Sequence, residues 1–224
     1  GKTTLMNILS GEAKADRGEI SLNGRALKDY RPKALSQHRA ILPQHTYMSF
    51  PFTVEQVVEI GRYPHKSSAQ ENQRAVERAL RATQLTPFRN RAYQTLSGGE
   101  AQRVQMARVL AQIDSPSQAP KYLLLDEPTS SLDLAQQRAL LSIAQQRCTQ
   151  GVGVIAILHD LNLAIQYADN LLFLKEGETI AYGSLAQVLK EEIVQQTFGC
   201  PIRILYDGDM PVVIAGKLGN KSAL

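Results

Sequence analysis

The chain has 224 residues, a formal net charge of +4 from 25 Lys plus Arg against 21 Asp plus Glu, and an apolar content of 43%. That length supports one large α/β domain with a hydrophobic core, alone or with a helical subdomain, and the apolar share excludes a disordered chain. The small positive balance without a dense Lys/Arg run suits a phosphate ligand or an acidic partner and excludes a nucleic-acid-binding tail, while Cys148 and Cys200, far apart and without metal-type spacing, indicate neither a zinc site nor a disulfide framework, so a reduced, cytosolic compartment is the default.

Gly1-Lys2-Thr3-Thr4 reads as the closing half of the phosphate loop G-x-x-x-x-G-K-[ST]. An N-terminal truncation is therefore expected, with a first strand and the first half of the loop lying ahead of Gly1. In such a loop, backbone amides cradle the phosphates, the lysine reaches the β/γ oxygens and the hydroxyl binds Mg²⁺. Lys2 and Thr3 fill the last two roles, with Thr4 beside the α/β-phosphates. Lys2 to Leu9 has helical composition and Ser10-Gly11 closes it.

Gly18 to Gly24 alternates in period two and predicts a half-exposed strand. Helical composition over Lys33 to His38 precedes a short strand, Ala40-Ile41-Leu42, that ends in Pro43-Gln44. Phe52 to Gly61 predicts a helix with Thr53 as N-cap and Gln56 at the capping-box position. Tyr63-Pro64-His65-Lys66 breaks it, and Ala69 to Thr83 predicts a long charged helix with a narrow apolar stripe at Ala75, Val76, Ala79 and Leu80. Arg62, His65 and Lys66 are read as a solvated loop, with a basic contact patch as the alternative. The chain between Gln44 and Leu96 is thus expected to be helical and free of strands.

Leu96-Ser97-Gly98-Gly99-Glu100 places an N-cap serine three residues before a glutamate, a capping box opening a helix to Ile113 whose first turn carries no side chains at Gly98 and Gly99. Bare amides at a helix start attract phosphate. Asp114 to Lys121 is a loop. Leu123-Leu124-Leu125-Asp126-Glu127-Pro128 reads as a buried strand delivering two carboxylates to its C-terminal end, where open α/β sheets hold ligands. Ser131-Leu132-Asp133 and a helix to Cys148 follow. Val152 to Leu158 predicts a central parallel strand ending in His159-Asp160. Asn170 to Lys175 with Glu178 to Gly183 predicts one hairpin, Leu185 to Phe198 a helix, and Ile202 to Tyr206 with Val212 to Ile214 a second hairpin. The tail after Gly216 is expected to fray. No apolar stretch approaches the roughly 20 residues of a membrane span, and no signal peptide is expected.

These motifs, in this order and over nearly the whole chain, resemble those of the ATP-binding cassette (ABC) ATPases. Leu96 to Glu100 is similar to their signature motif, Leu123 to Glu127 to Walker B, Ser131-Leu132-Asp133 to the D-loop, Gln44 to the Q-loop glutamine and His159 to the switch histidine. The resemblance implies an α/β P-loop NTPase fold with a mostly parallel core sheet, an inserted helical subdomain over about residues 45–115, antiparallel hairpins and an N-terminal strand missing. Residues 1–224 would form a single nucleotide-binding domain. It implies ATP and Mg²⁺ as ligands. Gly1, Lys2, Thr3 and Thr4 would contact the phosphates, and Thr3, Gln44 and Asp126 would serve the metal directly or through water. Glu127 would act on the attacking water, Gln44 on the same water or the metal while reporting γ-phosphate occupancy, His159 on the γ-phosphate, and Ser97, Gly98 and Gly99 on nucleotide held by a second copy, with Asp133 coupling the two sites. The residues before Gly1 should include an aromatic that stacks on adenine. The chain starting at Gly1 is therefore expected to turn over ATP poorly. Glu100 stands where many members carry glutamine and Ser131 where alanine is frequent.

Phe50-Pro51-Phe52-Thr53-Val54-Glu55 and Gly61-Arg62-Tyr63-Pro64-His65 are similar to the importer ATPases for iron chelates, heme and cobalamin. The long loop before Walker B and the run Leu132 to Gln137 favour heme over siderophores or cobalamin. The implied assembly is a homodimer at the cytoplasmic face of the inner (plasma) membrane, bound to an integral-membrane permease dimer and served indirectly by a periplasmic heme-binding protein. A soluble cassette of DNA repair or translation would carry long heptads, zinc modules or tandem cassettes, which this sequence does not show. A non-catalytic interaction domain would not need Glu127 and His159.

Overall fold

The structure is a computed structural model and describes residues 1–44, 48, 50–130 and 132–216. The chain divides into two compact units, one spanning residues 3–157 and the other comprising Gly1–Lys2 with the chain from Leu158 onward.

The first unit is built on a parallel sheet of β3 (Arg39–Leu42), β4 (Lys121–Asp126) and β5 (Val152–Ile157), with β4 in the middle. Ahead of the sheet come helix α1 (Lys2–Ser10), a short hairpin of β1 (Ser21–Leu22) and β2 (Arg25–Ala26), and one turn of helix, α2 (Pro32–Leu35). Between β3 and β4 the chain forms α3 (Val54–Ile60), α4 (Ala69–Ala82) and α5 (Gly98–Ile113), and α6 (Leu134–Thr149) joins β4 to β5. The leucine run of β4 is explained by burial on both faces. Leu123 and Leu125 pack into the large cluster that holds Val54, Val57 and Val58 of α3, Val76, Ala79 and Leu80 of α4, and Val104, Ala107 and Leu110 of α5. Leu124, on the opposite face by strand alternation, packs with Met6 of α1, Ile157 and Ile41. Each leucine taken from water contributes roughly 1.5–3 kcal/mol, so β4 anchors helices on both sides. The α3–α5 contact is close because residue 61 has no side chain: a Cβ on Gly61 would lie 2.2 Å from the carbonyl oxygen of Arg108.

The second unit holds α7 (Leu161–Tyr167), the hairpin β6 (Asn170–Lys175) with β7 (Glu178–Ser184), α8 (Leu185–Val188), α9 (Glu191–Phe198) and the hairpin β8 (Ile202–Asp207) with β9 (Met210–Ala215). Ile165, Leu171, Phe173, Val188, Val194 and Ile202 form its core.

Several expectations are corrected. The Gly18–Gly24 strand shrinks to Ser21–Leu22, turning at once through Asn23, whose φ is +52°. The Lys33–His38 helix is Pro32–Leu35 only. Among the described strands the apolar run at 152–158 is not central: β5 pairs there with β4 alone, and Ile155 on it is 44% exposed. Composition reports that both faces of a strand are apolar but not which neighbours it has. The Leu185–Phe198 helix breaks at Leu189 and Lys190 into α8 and α9. The stretch between Gln44 and Leu96 contains no strand among its described residues, only an isolated bridge between Thr53 and Ala92. Arg62 and His65 do not form the expected solvated loop. Arg62 is 5% exposed and donates to Asn72, Ser67 and the carbonyls of Ala111 and Asp114, while His65 Nε2 meets the Gln112 carbonyl at 2.7 Å. Ser131 and the tail from residue 217 lie outside the described residues.

Candidate active site

The parallel register sets Leu42 opposite Leu125, so the residues two positions further along each chain segment, Gln44 and Glu127, also fall side by side. They are in contact: Gln44 Nε2 donates to Glu127 Oε2 at 2.5 Å. Asp126 closes β4 with its Oδ1 buried. Glu127 stands at φ +47°, in the left-handed region. A non-glycine residue there costs about 1–3 kcal/mol and persists only where its surroundings hold it. The turn that follows supplies such restraint. Ser130 N–H donates to the Glu127 carbonyl at 3.2 Å, Leu132 N–H to that of Thr129 at 3.3 Å, and the Thr129 and Leu132 side chains are buried.

Helix α5 opens with the predicted capping box. Ser97 Oγ accepts from Glu100 N–H at 3.3 Å and Glu100 Oε2 accepts from Ser97 N–H at 2.7 Å. The bond from the Ser97 amide holds the Glu100 carboxyl below the usual glutamate range, and the nearby Arg91 and Arg103 add to this. Arg91 reaches Glu100 Oε1 at 3.3 Å and the Thr95 carbonyl at 2.7 Å, bracing the loop into the helix. With the amides of residues 97 and 100 used by the box, Gly98 and Gly99 contribute N–H groups that the helix itself cannot satisfy. The positive end of the helix dipole favours an anion there. Gly99 also permits a close approach: a Cβ on it would lie 2.2 Å from Gln136 Oε1, in the first turn of α6. Asp133 caps α6 through Oδ1, which accepts from Gln136 N–H at 2.8 Å.

Thr3 and Thr4 are exposed in the first turn of α1, which Met6 fastens to the sheet through Ile41, Leu124 and Ile157. Gly1, Lys2 and His159 belong to the second unit. There Asp160, next to His159, caps α7 by accepting from the N–H groups of Asn162 at 2.8 Å and Leu163 at 3.2 Å. Within the first unit the structure brings Gln44 and Glu127 together and sets Asp126 beside them in sequence at the strand end. It also joins the signature glycines to the helix that Asp133 caps.

The sequence reading missed the polar residues that hold this arrangement. Gln102 Nε2 donates to the Pro128 carbonyl at 3.3 Å, and Gln137 Nε2 to those of Thr129 at 3.2 Å and Leu132 at 3.0 Å. A glutamine inside a helix carries no motif signal of its own. Its only cue is its place four residues after the Asp133 cap, facing back over the loop.

Residues 1–130 match the family model described as ABC transporter. The "Hemin import ATP-binding protein HmuV" of Mesorhizobium japonicum is 47% identical over 220 residues, covering 96% of this chain and 83% of that protein. Among solved structures, a chain of an ABC transporter in an inward-facing conformation superposes with a TM-score of 0.79 at 26% identity, over 96% of this chain and 82% of that one. The ATP-binding cassette MJ0796, a dimer in a post-hydrolysis state bound to ADP and Pi, gives 0.70 at 26% identity over 83% and 81%. The chain belongs to the ABC transporter family and is one of its ATP-binding ATPases.

Proposed function

We propose that this chain hydrolyses ATP at the cytoplasmic face of the inner (plasma) membrane to drive heme through a separate permease. The observation that carries the cargo is the 47% identity, over 96% of the chain, to a protein named for hemin import. Siderophore and cobalamin import are the alternatives within the branch. Residues 1–224 act as one nucleotide-binding domain with a helical subdomain at about 45–115. Among the described residues no helix is long and apolar enough to cross a membrane, which agrees with a permease made by other chains. The helical region offers that partner an open groove of about 470 Å³ lined by Phe52, Gln56, Glu59, Ile60, Arg62, Tyr63, His65 and Asn72.

Phosphoryl transfer to water rests on positioning and charge neutralisation. Gly1, Lys2, Thr3 and Thr4 bind the phosphates. Thr3, Gln44 and Asp126 offer hydroxyl, amide and carboxylate oxygens, the hard donors that suit Mg²⁺, which keeps several waters and binds through one or two carboxylates plus substrate phosphates. The burial of Asp126 Oδ1 at the strand end fits that role. When bound, the ion neutralises phosphate charge. Glu127 orients the attacking water and accepts its proton, a contribution of about 10²- to 10⁴-fold. The hydrogen bond from Gln44 fixes its carboxylate, and His159 steadies the γ-phosphate. Two copies meet head to tail so that Ser97, Gly98 and Gly99 of one cap the γ-phosphate held by the other, with Asp133 linking the sites. The dimeric cassette MJ0796 supports this reading.

Two measurements test it. In the transporter assembled with its permease, a heme-loaded binding protein should stimulate ATP turnover. Stimulation by a siderophore or cobalamin carrier with no response to heme transfers the cargo to the alternative. Glu127→Gln should retain ATP binding and stop turnover, and hydrolysis within a few-fold of the parent removes Glu127 from the role of base.

A further inference from the structure

Glu127 holds a left-handed backbone with no glycine to ease it, and the chain from Pro128 to Leu132 must keep it there. Three carbonyls of that short segment accept hydrogen bonds from side-chain amides of two different helices. Gln102 of α5 takes the carbonyl of Pro128. Gln137 of α6 takes those of Thr129 and Leu132, using both N–H bonds of one amide on two oxygens three residues apart. Gln137 is itself fixed, since its backbone N–H donates to the Asp133 carbonyl at 2.9 Å and it lies half-buried in the first turn of a helix capped by Asp133. Thr129 and Leu132 turn their side chains into the protein, 8% exposed each, so both residues are held from inside by packing and from α6 by the amide.

We propose that Gln137 is a positioning residue for hydrolysis: its amide clasps the Thr129–Leu132 turn and thereby keeps the Glu127 backbone left-handed and its carboxylate on Gln44. This rests on the reading of Glu127 as the base. The clasp acts on the geometry around the attacking water and not on nucleotide binding, so it affects kcat and leaves the KM for ATP alone. An amide is required because only a two-proton donor satisfies two carbonyls at once. A carboxylate of the same shape sets a third oxygen against them.

The test uses the transporter assembled with its permease and three variants, Gln137→Glu, Gln137→Met and Glu127→Gln. Misplacing a catalytic group by about 1 Å costs up to about 10²-fold, so Gln137→Glu should lower kcat about tenfold or more, and Gln137→Met several-fold, with KM for ATP within about twofold of the parent. Thermal unfolding separates this from a folding defect, because Gln137→Met conserves volume and should melt within a few degrees of the parent. Parental kcat in both Gln137 variants overturns the proposal, as does a parallel loss of kcat and ATP affinity or a loss of rate that tracks a loss of melting temperature. Glu127→Gln reports separately on the base: near-parental turnover there dismisses Glu127, while the Gln137 variants still decide whether the clasp sets the rate.

Discussion

Replacing Arg62 by methionine isolates the role of a cation that sequence reading placed at the surface. Arg62 follows the C-cap Gly61 of α3 and is 5% exposed. Its Nη1 donates to the Ala111 carbonyl at 2.6 Å and to that of Asp114, its Nε to Asn72 Oδ1 at 3.0 Å, and its Nη2 to Ser67 Oγ at 3.3 Å. The first two acceptors close the C-terminal turn of α5, where carbonyls have no intrahelical donor. Methionine keeps the volume and removes every donor. Each buried acceptor left unsatisfied costs about 1–3 kcal/mol, and the partly buried one at Asp114 costs less because water reaches it. Against this, the variant no longer has to bury a guanidinium, whose desolvation pushes the Arg62 pKa down despite the opposing pull of Asp114. The carbonyl loss is the larger effect, because four hydrogen bonds offset the desolvation of the guanidinium in the parent, whereas the variant takes from the Ala111 oxygen the buried donor at 2.6 Å. A net destabilisation of about 2–4 kcal/mol follows, or roughly 5–15 °C in melting temperature for a domain of this size. Thermal and urea unfolding of Arg62→Met measure it, with Arg62→Lys recovering only part because one ammonium cannot span the fork. A melting temperature within about 2 °C of the parent, combined with weakened coupling to the permease, would refute the reasoning and restore Arg62 to a contact surface.

Glu100→Gln keeps the acceptor for Ser97 N–H but cannot titrate. Because the folded carboxyl lies below its ordinary range, its contribution is present above that range and lost as pH falls through the depressed value, so melting temperatures between pH 6 and about 3 should fall less steeply in the variant. His65 runs the other way: burial, opposed by its bond to the Gln112 carbonyl, lowers its pKa. The unfolded chain therefore takes up a proton near pH 6.5, where the fold does not, and stability, flat above about 6.5, drops below it. His65→Gln should shrink the loss in melting temperature between pH 7.5 and about 5.5, and an unchanged loss would clear His65. Glu127→Gly should raise stability by up to about 1 kcal/mol through relief of the left-handed backbone while abolishing turnover, and lower stability on unfolding in urea would show that Glu127 is not strained.

Two of the capping boxes were legible, while those of Ser68 with Glu71 and Ser184 with Gln187 were not read. Ser97 with Glu100, Thr53 with Gln56 and the three-leucine strand are local patterns whose physics is complete within a few residues. So were the signals that end elements, which is why both C-terminal hairpins fall close to where turn residues predict them. What was not legible depends on distant partners. Val152 to Ile157 is as apolar as β4, yet Ile155 is exposed because β4 is its only neighbour among the described strands, and a strand's own residues do not record which neighbours it has. Arg62 and His65 read as surface residues, since a cation beside a proline-containing turn usually is one, and only the folded end of α5 supplies the acceptors that draw them in. Gln44 and Glu127 were identified separately from motifs, but their contact depends on the β3–β4 register, which pairs residues 83 positions apart.

That register also explains why the strain sits at residue 127. Strand alternation puts Asp126 on the face of Leu124, which packs against Met6, and would send the next residue to the face of Leu125, inside the core with Val104 and Ala107. A carboxylate continuing in extended conformation would be buried there among aliphatic side chains, at a desolvation cost of several kcal/mol. The left-handed turn at φ +47° costs about 1–3 kcal/mol and instead brings Glu127 to Gln44 at the sheet end. The smaller cost wins. The two adjacent carboxylates then face different surroundings, Asp126 with its Oδ1 buried at the strand end and Glu127 against the Gln44 amide, because the backbone departs from the strand between them. The restraints that keep it there come from α5 and α6, the first carrying the signature amides and the second capped by the D-loop aspartate. A displacement of either helix therefore reaches Glu127 through one or two amide hydrogen bonds, without any change in the strand that bears it.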